Sequence, residues 1–395
     1  VTIHLPSSKS ESNRALIINS FAGGKLNNLS EARDTQTMLR LLKSDEKELN
    51  VLDAGTTMRF LVAYFALTNQ NKILTGTPRM CERPIGILVN ALRELGAHIE
   101  YLGVDGFPPL ETKRFRNQKT DQISIRGDIS SQYISAIMMV APTLPKGLTI
   151  NLEGKIASKP YILMTLELMK KFGAIAAITE DNEILIKPSN YIASEFSVES
   201  DWSGASYWFS FVALAKKAEV LLTGLKPDSL QGDHKIMGIM AYLGVKSRFT
   251  HEGLLLSKTS HKNYFSYDFS NCPDLAQTVA IVCAAKGIDA EFTGLESLKI
   301  KETDRIIALQ NELQKIGAQL SEFESEKWTV IPSTEIGGIS DTISIKTYDD
   351  HRMAMAFAPL ATLMNIEIQD PSVVNKSYPG FWKDMEKAGF VLEGT

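Results

Sequence analysis

The stretch Lys301-Glu302-Thr303-Asp304-Arg305 packs ionisable residues of both signs into four of its five positions. Beyond it, Ile306, Leu309, Leu313 and Ile316 recur at helical spacing, and Gly317 offers a stop. Thr303 is the expected N-cap, which would put Lys301 and Glu302 at the positive end of the helix dipole. That place suits an anionic ligand, and a carboxylic acid beside it can hand over a proton. Taken alone, the stretch reads first as a well-capped, solvated helix start. Residues 6–14, 53–59 and 349–352 change that balance.

Pro6-Ser-Ser-Lys-Ser-Glu-Ser-Asn-Arg14 precedes the apolar run 15–21. Small hydroxylated residues at a helix start offer donors to an anion, and Lys9 and Arg14 add charge, although a serine-rich N-cap explains the same residues. Asp53-Ala-Gly-Thr-Thr-Met-Arg59 repeats the design, with Gly55 allowing close backbone approach. Pro78-Arg-Met-Cys-Glu-Arg-Pro84 places two arginines in a proline-bounded loop, where a guanidinium suits carboxylate or phosphate. Cys81 has no histidine near it in sequence and reads as an unreactive thiol. Ser130-Ser131-Gln132 and Ser158-Lys159-Pro160-Tyr161 are two more hydroxyl-rich helix starts. Asp274 opens an apolar helix over 275–285, where it reads equally as an N-cap, and Asp349-Asp350-His351-Arg352 leads into the apolar run 353–357. Together these stretches describe a polyanion site assembled from helix N-termini, with Asp274 and Glu302 as its lone acids, available for proton transfer.

The composition is that of a globular protein: 44% hydrophobic and 22% charged residues, with a formal net charge of -4. The mild negative balance excludes broad adhesion to nucleic acid or anionic membrane, so a polyanion must be held by a local basic cluster. Three cysteines form no CxxC, and six scattered histidines form no HExxH, so neither a disulfide framework nor a metal site is expected. The opening VTIHLPSSKS carries no basic-then-apolar export pattern, and no apolar run approaches the roughly 18 residues of a membrane span. A cytoplasmic chain is expected.

The elements that must position these residues show a long repeat. Amphipathic helical segments end at Gly96, Gly173, Gly244, Gly317 and Gly389, recurring about every 70 to 77 residues, each followed by an apolar, strand-like stretch. A degenerate sixth copy lies around residues 38–52. Several copies of one α/β unit are implied, and at 395 residues two domains are the default, with a boundary near residues 200–203.

These motifs, in this order over nearly the whole length, resemble the 5-enolpyruvylshikimate-3-phosphate synthase family, the target of glyphosate. The resemblance rests on PSSKSESNR, DAGTTMR, PRMCERP, SSQ, SKPY, the acid at Asp274, KETDR, DDHRMAMAF and Lys376 ahead of a proline. It implies an α/β fold of two domains, an inside-out α/β barrel in which each domain has three repeated βαβαββ-type units, the first of them shortened. Residues 8–200 would form a shikimate-3-phosphate-binding domain, and 1–7 with 201–395 the other, closing over an active site in the cleft between them. The implied reaction transfers the enolpyruvyl group of phosphoenolpyruvate to the 5-hydroxyl of shikimate 3-phosphate by addition and elimination, in a monomer without metal or organic cofactor. By the same resemblance, Lys9, Ser10, Arg14, Ser130, Ser131, Gln132, Ser158, Tyr161, Asp274 and Lys301 would meet shikimate 3-phosphate. Lys9, Gly55, Arg79, Gln132, Arg305, Arg352 and Lys376 would meet phosphoenolpyruvate, with Asp53, Thr56 and His351 in support. Asp274 would take the hydroxyl proton, and Glu302, aided by Lys9, would protonate the methylene carbon.

Three departures from the family pattern stand out: Leu52 precedes Asp53 where a glycine is usual, Cys81 replaces a residue that is often basic, and the span from Asp34 to Asp53 is short. Phe60 stands where some relatives have proline or leucine. Glycine at position 55 implies sensitivity to glyphosate, with an added methyl there expected to shorten the pocket and leave the cations in place. Two alternatives are a UDP-N-acetylglucosamine enolpyruvyl transferase-like enzyme and a non-catalytic phosphometabolite-binding protein. The first uses a cysteine in a glycine-rich loop, unlike the setting of Cys81; the second would need neither Asp274 nor Glu302.

Overall fold

The computed structural model describes residues 1–128, 130–333 and 342–394. The chain divides into two compact units, Ser8–Val198 and Val1–Ser7 with Glu199–Thr395. The second crossing thus falls just ahead of the stretch 200–203 expected from the sequence. Glu199 belongs with the residues C-terminal to it because its carboxylate accepts from Trp202 Nε1 at 2.8 Å and from Ser229 Oγ at 2.6 Å.

Each unit repeats one motif: two parallel strands, the second entered from a helix, then a second helix and an antiparallel hairpin. In Ser8–Val198, one sheet runs Glu48–Asn50, Lys72–Thr75, Leu110–Thr112, Ile99–Tyr101, and another runs Gln122–Arg126, Leu148–Glu153, Glu183–Ile186, Ala176–Ile178. In the other unit the equivalents are Thr2–His4, Glu219–Thr223, Leu254–Lys258, Val245–Phe249, and Tyr264–Asp268, Asp289–Thr293, Lys327–Ile331, Gln319–Glu324. The first two strands of each sheet pair parallel and the rest antiparallel. A third, reduced sheet in each unit keeps only the parallel pair: Lys25–Asn27 with Glu195–Ser197, and Ile343–Ile345 with Ile366–Ile368. The sheets are separate, and none closes into a barrel among the described residues.

The five repeat glycines all have positive φ, from 74° at Gly317 to 109° at Gly96, which is why each helix can turn there without a Cβ penalty. Four of them lead into a strand. The fifth does not: past Gly389 no strand forms among the described residues, and Phe390 and Leu392 pack against the core instead. The expected strand after every glycine is corrected to this extent. The degenerate sixth copy is the helix Arg33–Leu42, whose polar exit leads straight to Glu48–Asn50, the first strand of the next sheet.

The central helices of the unit containing Glu199–Thr395 are buried on nearly every side. In Trp202–Leu214 all residues but Ser203 are buried, including Trp202, Trp208 and Phe209, and Ala276–Lys286 is buried over nine residues. Fully burying each large apolar side chain contributes about 1.5–3 kcal/mol. Such a helix has no polar face to spare. Its free backbone N–H groups, and the polar residues beside them, are confined to its N-terminal end, and that is where the sequence motifs lie.

Candidate active site

In the unit containing Glu199–Thr395, the site is built around one buried guanidinium. Arg305, 2% exposed, begins the helix Arg305–Gln314. The N-cap is Asp304, not Thr303 as expected: its carboxylate accepts from both Ile306 N and Ile307 N, at 3.0 and 3.1 Å, which a hydroxyl does less well. Lys301 and Glu302 therefore precede the cap. The Arg305 fork reaches three carboxylates, with Nε 2.6 Å from Asp350 Oδ2, Nη1 3.0 Å from Asp274 Oδ1 and Nη2 2.8 Å from Glu302 Oε2. Burial opposes its charge, but Asp350, Glu302 and Asp274 together push its pKa above the usual arginine value.

Asp274 and Glu302 are consequently not the lone acids that the sequence pattern implies. Asp274 also takes Arg352 Nη2 at 2.8 Å. Nor is it an N-cap: it sits in the turn Pro273–Leu275 ahead of the helix Ala276–Lys286, whose cap is Leu275. Burial would raise the Asp274 pKa, yet Arg352 foremost, then Lys301 and Arg305, hold it well below the carboxylate range. Burial lowers the Lys301 ammonium, with Asp274 opposing. Asp350 caps the helix His351–Phe357 through Arg352 N at 2.9 Å, and His351 Nδ1 lies 3.6 Å from its carboxylate. Tyr348 and Asp349, just before the cap, both have φ of 54°, a left-handed pair that turns the chain into the site. Lys376, buried, donates to the Asp349 carbonyl at 3.4 Å.

In Ser8–Val198 the helix Lys9–Ala22 starts earlier than the apolar run at 15–21 suggested, capped by Ser8 through Glu11 N. Lys9 Nζ pairs with the buried Asp34 at 3.1 Å. Ser10 gives its carbonyl to Arg14 Nη1 at 2.9 Å. Arg14 also donates to Thr165 and Ser135 and lies over the rings of Phe60 and Tyr161. Burial lowers its pKa to about 10, against Tyr161 and Glu11. Gln132 donates to Thr56 Oγ1 at 3.1 Å, joining two of the expected residues. Ser130 caps the helix Ser131–Val140. Ser158, with φ of 55°, precedes the helix Lys159–Lys171 that carries Tyr161. Asp53 pairs with Arg33 at 3.0 Å.

Gly55 opens the helix Gly55–Leu67, and the guanidiniums beside it are those of Arg59 and Arg83, not Arg79. A Cβ on Gly55 would lie 2.7 Å from Nη1 of both Arg83 and Arg59. Arg79 is half-exposed and pairs with Glu82 at 3.2 Å. The two arginines of the 78–84 loop differ because the short helix Pro78–Cys81 turns Arg79 outward while Arg83, beyond it, is buried. Sequence reasoning also missed Asp350, hidden as the second of two adjacent acids, and Asp34, Ser203, Tyr207 and Asp233, which stand in no charged motif. Among the described residues, no group of three or more His, Cys, Asp or Glu is arranged to hold a metal ion. No helix among them is long and apolar enough to cross a membrane.

A family model described as EPSP synthase (3-phosphoshikimate 1-carboxyvinyltransferase) matches residues 43–385. A 3-phosphoshikimate 1-carboxyvinyltransferase of Bacteroides fragilis is 49% identical, covering 99% of this chain and 96% of its own. One from Aliivibrio salmonicida is 36% identical over 98% of this chain and 96% of its own. The solved EPSP synthase of Acinetobacter baumannii superposes with a TM-score of 0.77 over 100% of this chain and 96% of that one, at 20% identity, which shows a shared fold. With its family model spanning most of its length and relatives this similar, the chain belongs to the EPSP synthase family.

Proposed function

We propose that this chain transfers the enolpyruvyl group of phosphoenolpyruvate to the 5-hydroxyl of shikimate 3-phosphate, releasing phosphate in the shikimate pathway. The observation that carries this reading is the single buried Arg305 shared by Asp274 and Glu302, which sets two acids and two guanidiniums, Arg305 and Arg352, in one place. Addition forms a C–O bond at C2 of phosphoenolpyruvate and a C–H bond at C3. Elimination then breaks a C3–H bond and the C2–O bond to phosphate. Asp274 takes the proton of the hydroxyl and passes it on to the departing phosphate, and Glu302 supplies and recovers the proton at C3, so both acids end the cycle as they began it.

Arg305, Arg352 and Lys376 bind phosphoenolpyruvate, as do Lys9, Gln132, the backbone at Gly55 and Arg83, in place of Arg79. Ser10, Arg14, Ser130, Ser131, Gln132, Ser158 and Tyr161 serve shikimate 3-phosphate, with Lys301 near the reacting oxygen. The guanidinium bonds of Asp274 and Glu302 suggest how these acids become active. An incoming anion takes up donors of Arg352 and Arg305, weakening their hold on Asp274 and Glu302, so both carboxyls rise toward a pKa useful for proton transfer. The free thiols Cys81, Cys272 and Cys283 support a reducing compartment, the cytoplasm. Phosphate release tests the whole reading: it should require phosphoenolpyruvate and shikimate 3-phosphate together. Release from phosphoenolpyruvate alone, or none with both present, would overturn it.

Gly55→Ala bears on how phosphoenolpyruvate is held. The methyl would meet the flexible ends of Arg83 and Arg59, so the fold survives while those two guanidiniums shift. KM for phosphoenolpyruvate should rise by about tenfold, the effect of a displaced charge-assisted bond. Inhibition by glyphosate, competitive with phosphoenolpyruvate in the wild type, should weaken still further because the longer ligand also meets the methyl. Steady-state kinetics read both, and an unchanged KM would remove Arg83 from the binding set.

A further inference from the structure

We propose that Asp233 is a positioning residue for Arg352, acting through the Ser203 hydroxyl to set how strongly Arg352 holds an anionic substrate. This rests on the enolpyruvyl-transfer reading. Asp233 lies in the turn Gly232–Lys235, outside every charged motif of the sequence, and is 2% exposed. The turn is held in place by Gln231, which accepts from Trp202 N at 3.0 Å and donates to the Ser200 carbonyl at 2.8 Å. Ser203 Oγ meets Asp233 Oδ2, and Oδ1 has no hydrogen-bond partner among the described residues. The same Ser203 Oγ lies 3.5 Å from Arg352 Nη2, the atom that holds Asp274 at 2.8 Å. Asp233, Ser203, Arg352 and Asp274 therefore form one continuous chain of contacts.

A buried carboxyl with one oxygen lacking a partner is a poor place for a charge. Facing it are Arg352, Asp274 and Asp201, together with Cys272; Tyr207 meets Arg352 from the helix Trp202–Leu214, and His234 and Lys235 share its turn. Burial above all, then Asp274, pushes Asp233 up to about 7, against Arg352 and Ser203. Below that pH the carboxyl is neutral and donates to Ser203, leaving Arg352 to Asp274 and the substrate. As pH rises through it, Asp233 ionises, Ser203 turns to donate to Oδ2, and Arg352 gains a second negative neighbour with which a substrate anion must compete. Substrate affinity falls on the alkaline side.

The test is KM for phosphoenolpyruvate in wild type and Asp233→Asn, from about pH 6 to about pH 8. Titration of the substrate's own phosphate is common to both, so the ratio of the two KM values isolates Asp233. The ratio of wild type to variant should grow by about tenfold across the range, the effect of one added charge near a binding site. Ser203→Ala, compared with the same variant, should show no such growth. A flat ratio for wild type overturns the proposal, and a full rise retained in Ser203→Ala overturns the route through Ser203. Wild type without turnover overturns the transfer reading, and this proposal with it. If Asp233→Asn does not fold, calorimetry in two buffers of different ionisation enthalpy replaces it. Near pH 7, proton uptake on binding phosphoenolpyruvate should be larger in wild type than in Ser203→Ala, and equal uptake overturns the proposal.

Discussion

Asp274→Asn and Glu302→Gln should each lower kcat by at least about 100-fold while both substrates still bind. The amides keep the shape of the carboxylates and remain acceptors for Arg305, so the fold should hold, but neither can take or give a proton. Asp274→Asn has a second signature. Its carboxylate is the partner of Arg352 as well as Arg305, and the amide leaves both guanidiniums less compensated. Affinity for phosphoenolpyruvate should then stay level or tighten while turnover falls, a split that loss of a simple binding contact does not give. Steady-state kinetics with a direct binding titration separate the two constants. Near-normal kcat in either variant would show that the acid is an anchor and not a proton carrier. The pH dependence has a definite sign. Asp274 is held below the usual carboxylate range, so its contribution to stability is complete above that range and disappears only in strong acid, as pH falls through its depressed value.

The repeat was legible because a helix end in the left-handed region demands glycine, and five such glycines at near-even spacing leave a mark that side-chain chemistry does not blur. The helix starts were legible for a related reason: central helices this buried carry their charged and hydroxyl-rich motifs at the N-terminal end, where backbone N–H groups are free. What the sequence hid were pairings between distant segments. Asp350 is 45 positions from Arg305, and nothing in the run Asp349-Asp350 says which acid turns inward; the two left-handed residues before the cap decide it. Arg79 and Arg83 look alike in a proline-bounded loop, and one short helical turn buries the second. Thr303 and Asp304 are both good caps, and the carboxylate wins by serving two N–H groups at once. The strand expected after Gly389 fails because apolar residues there meet the core directly, without a neighbouring strand.

Replacing Arg305 should have the largest effect of all, because its guanidinium is the common partner of three carboxylates in a place water hardly reaches. Arg305→Met leaves Asp350, fully buried, with Asp274 and Glu302 beside it and the shared cation gone. Breaking a buried pair in this way costs about 3–5 kcal/mol, which denaturant titration reads directly. Arg305→Lys keeps the charge but not the fork: an ammonium is a single point and cannot face three carboxylates from separate nitrogens. The lysine variant should recover part of the stability and still lose kcat/KM by about 1000-fold, since Asp274 and Glu302 are no longer held in register. Arg305→Met combined with Asp350→Asn discriminates further. Neutralising the most buried acid should restore stability well beyond the single variant, and the activity should stay as low, because phosphoenolpyruvate has lost the same cation in both. If Arg305→Lys kept kcat/KM near the wild-type value, the three-way guanidinium geometry would be structural only, and the site's chemistry would have to be sought around Arg352.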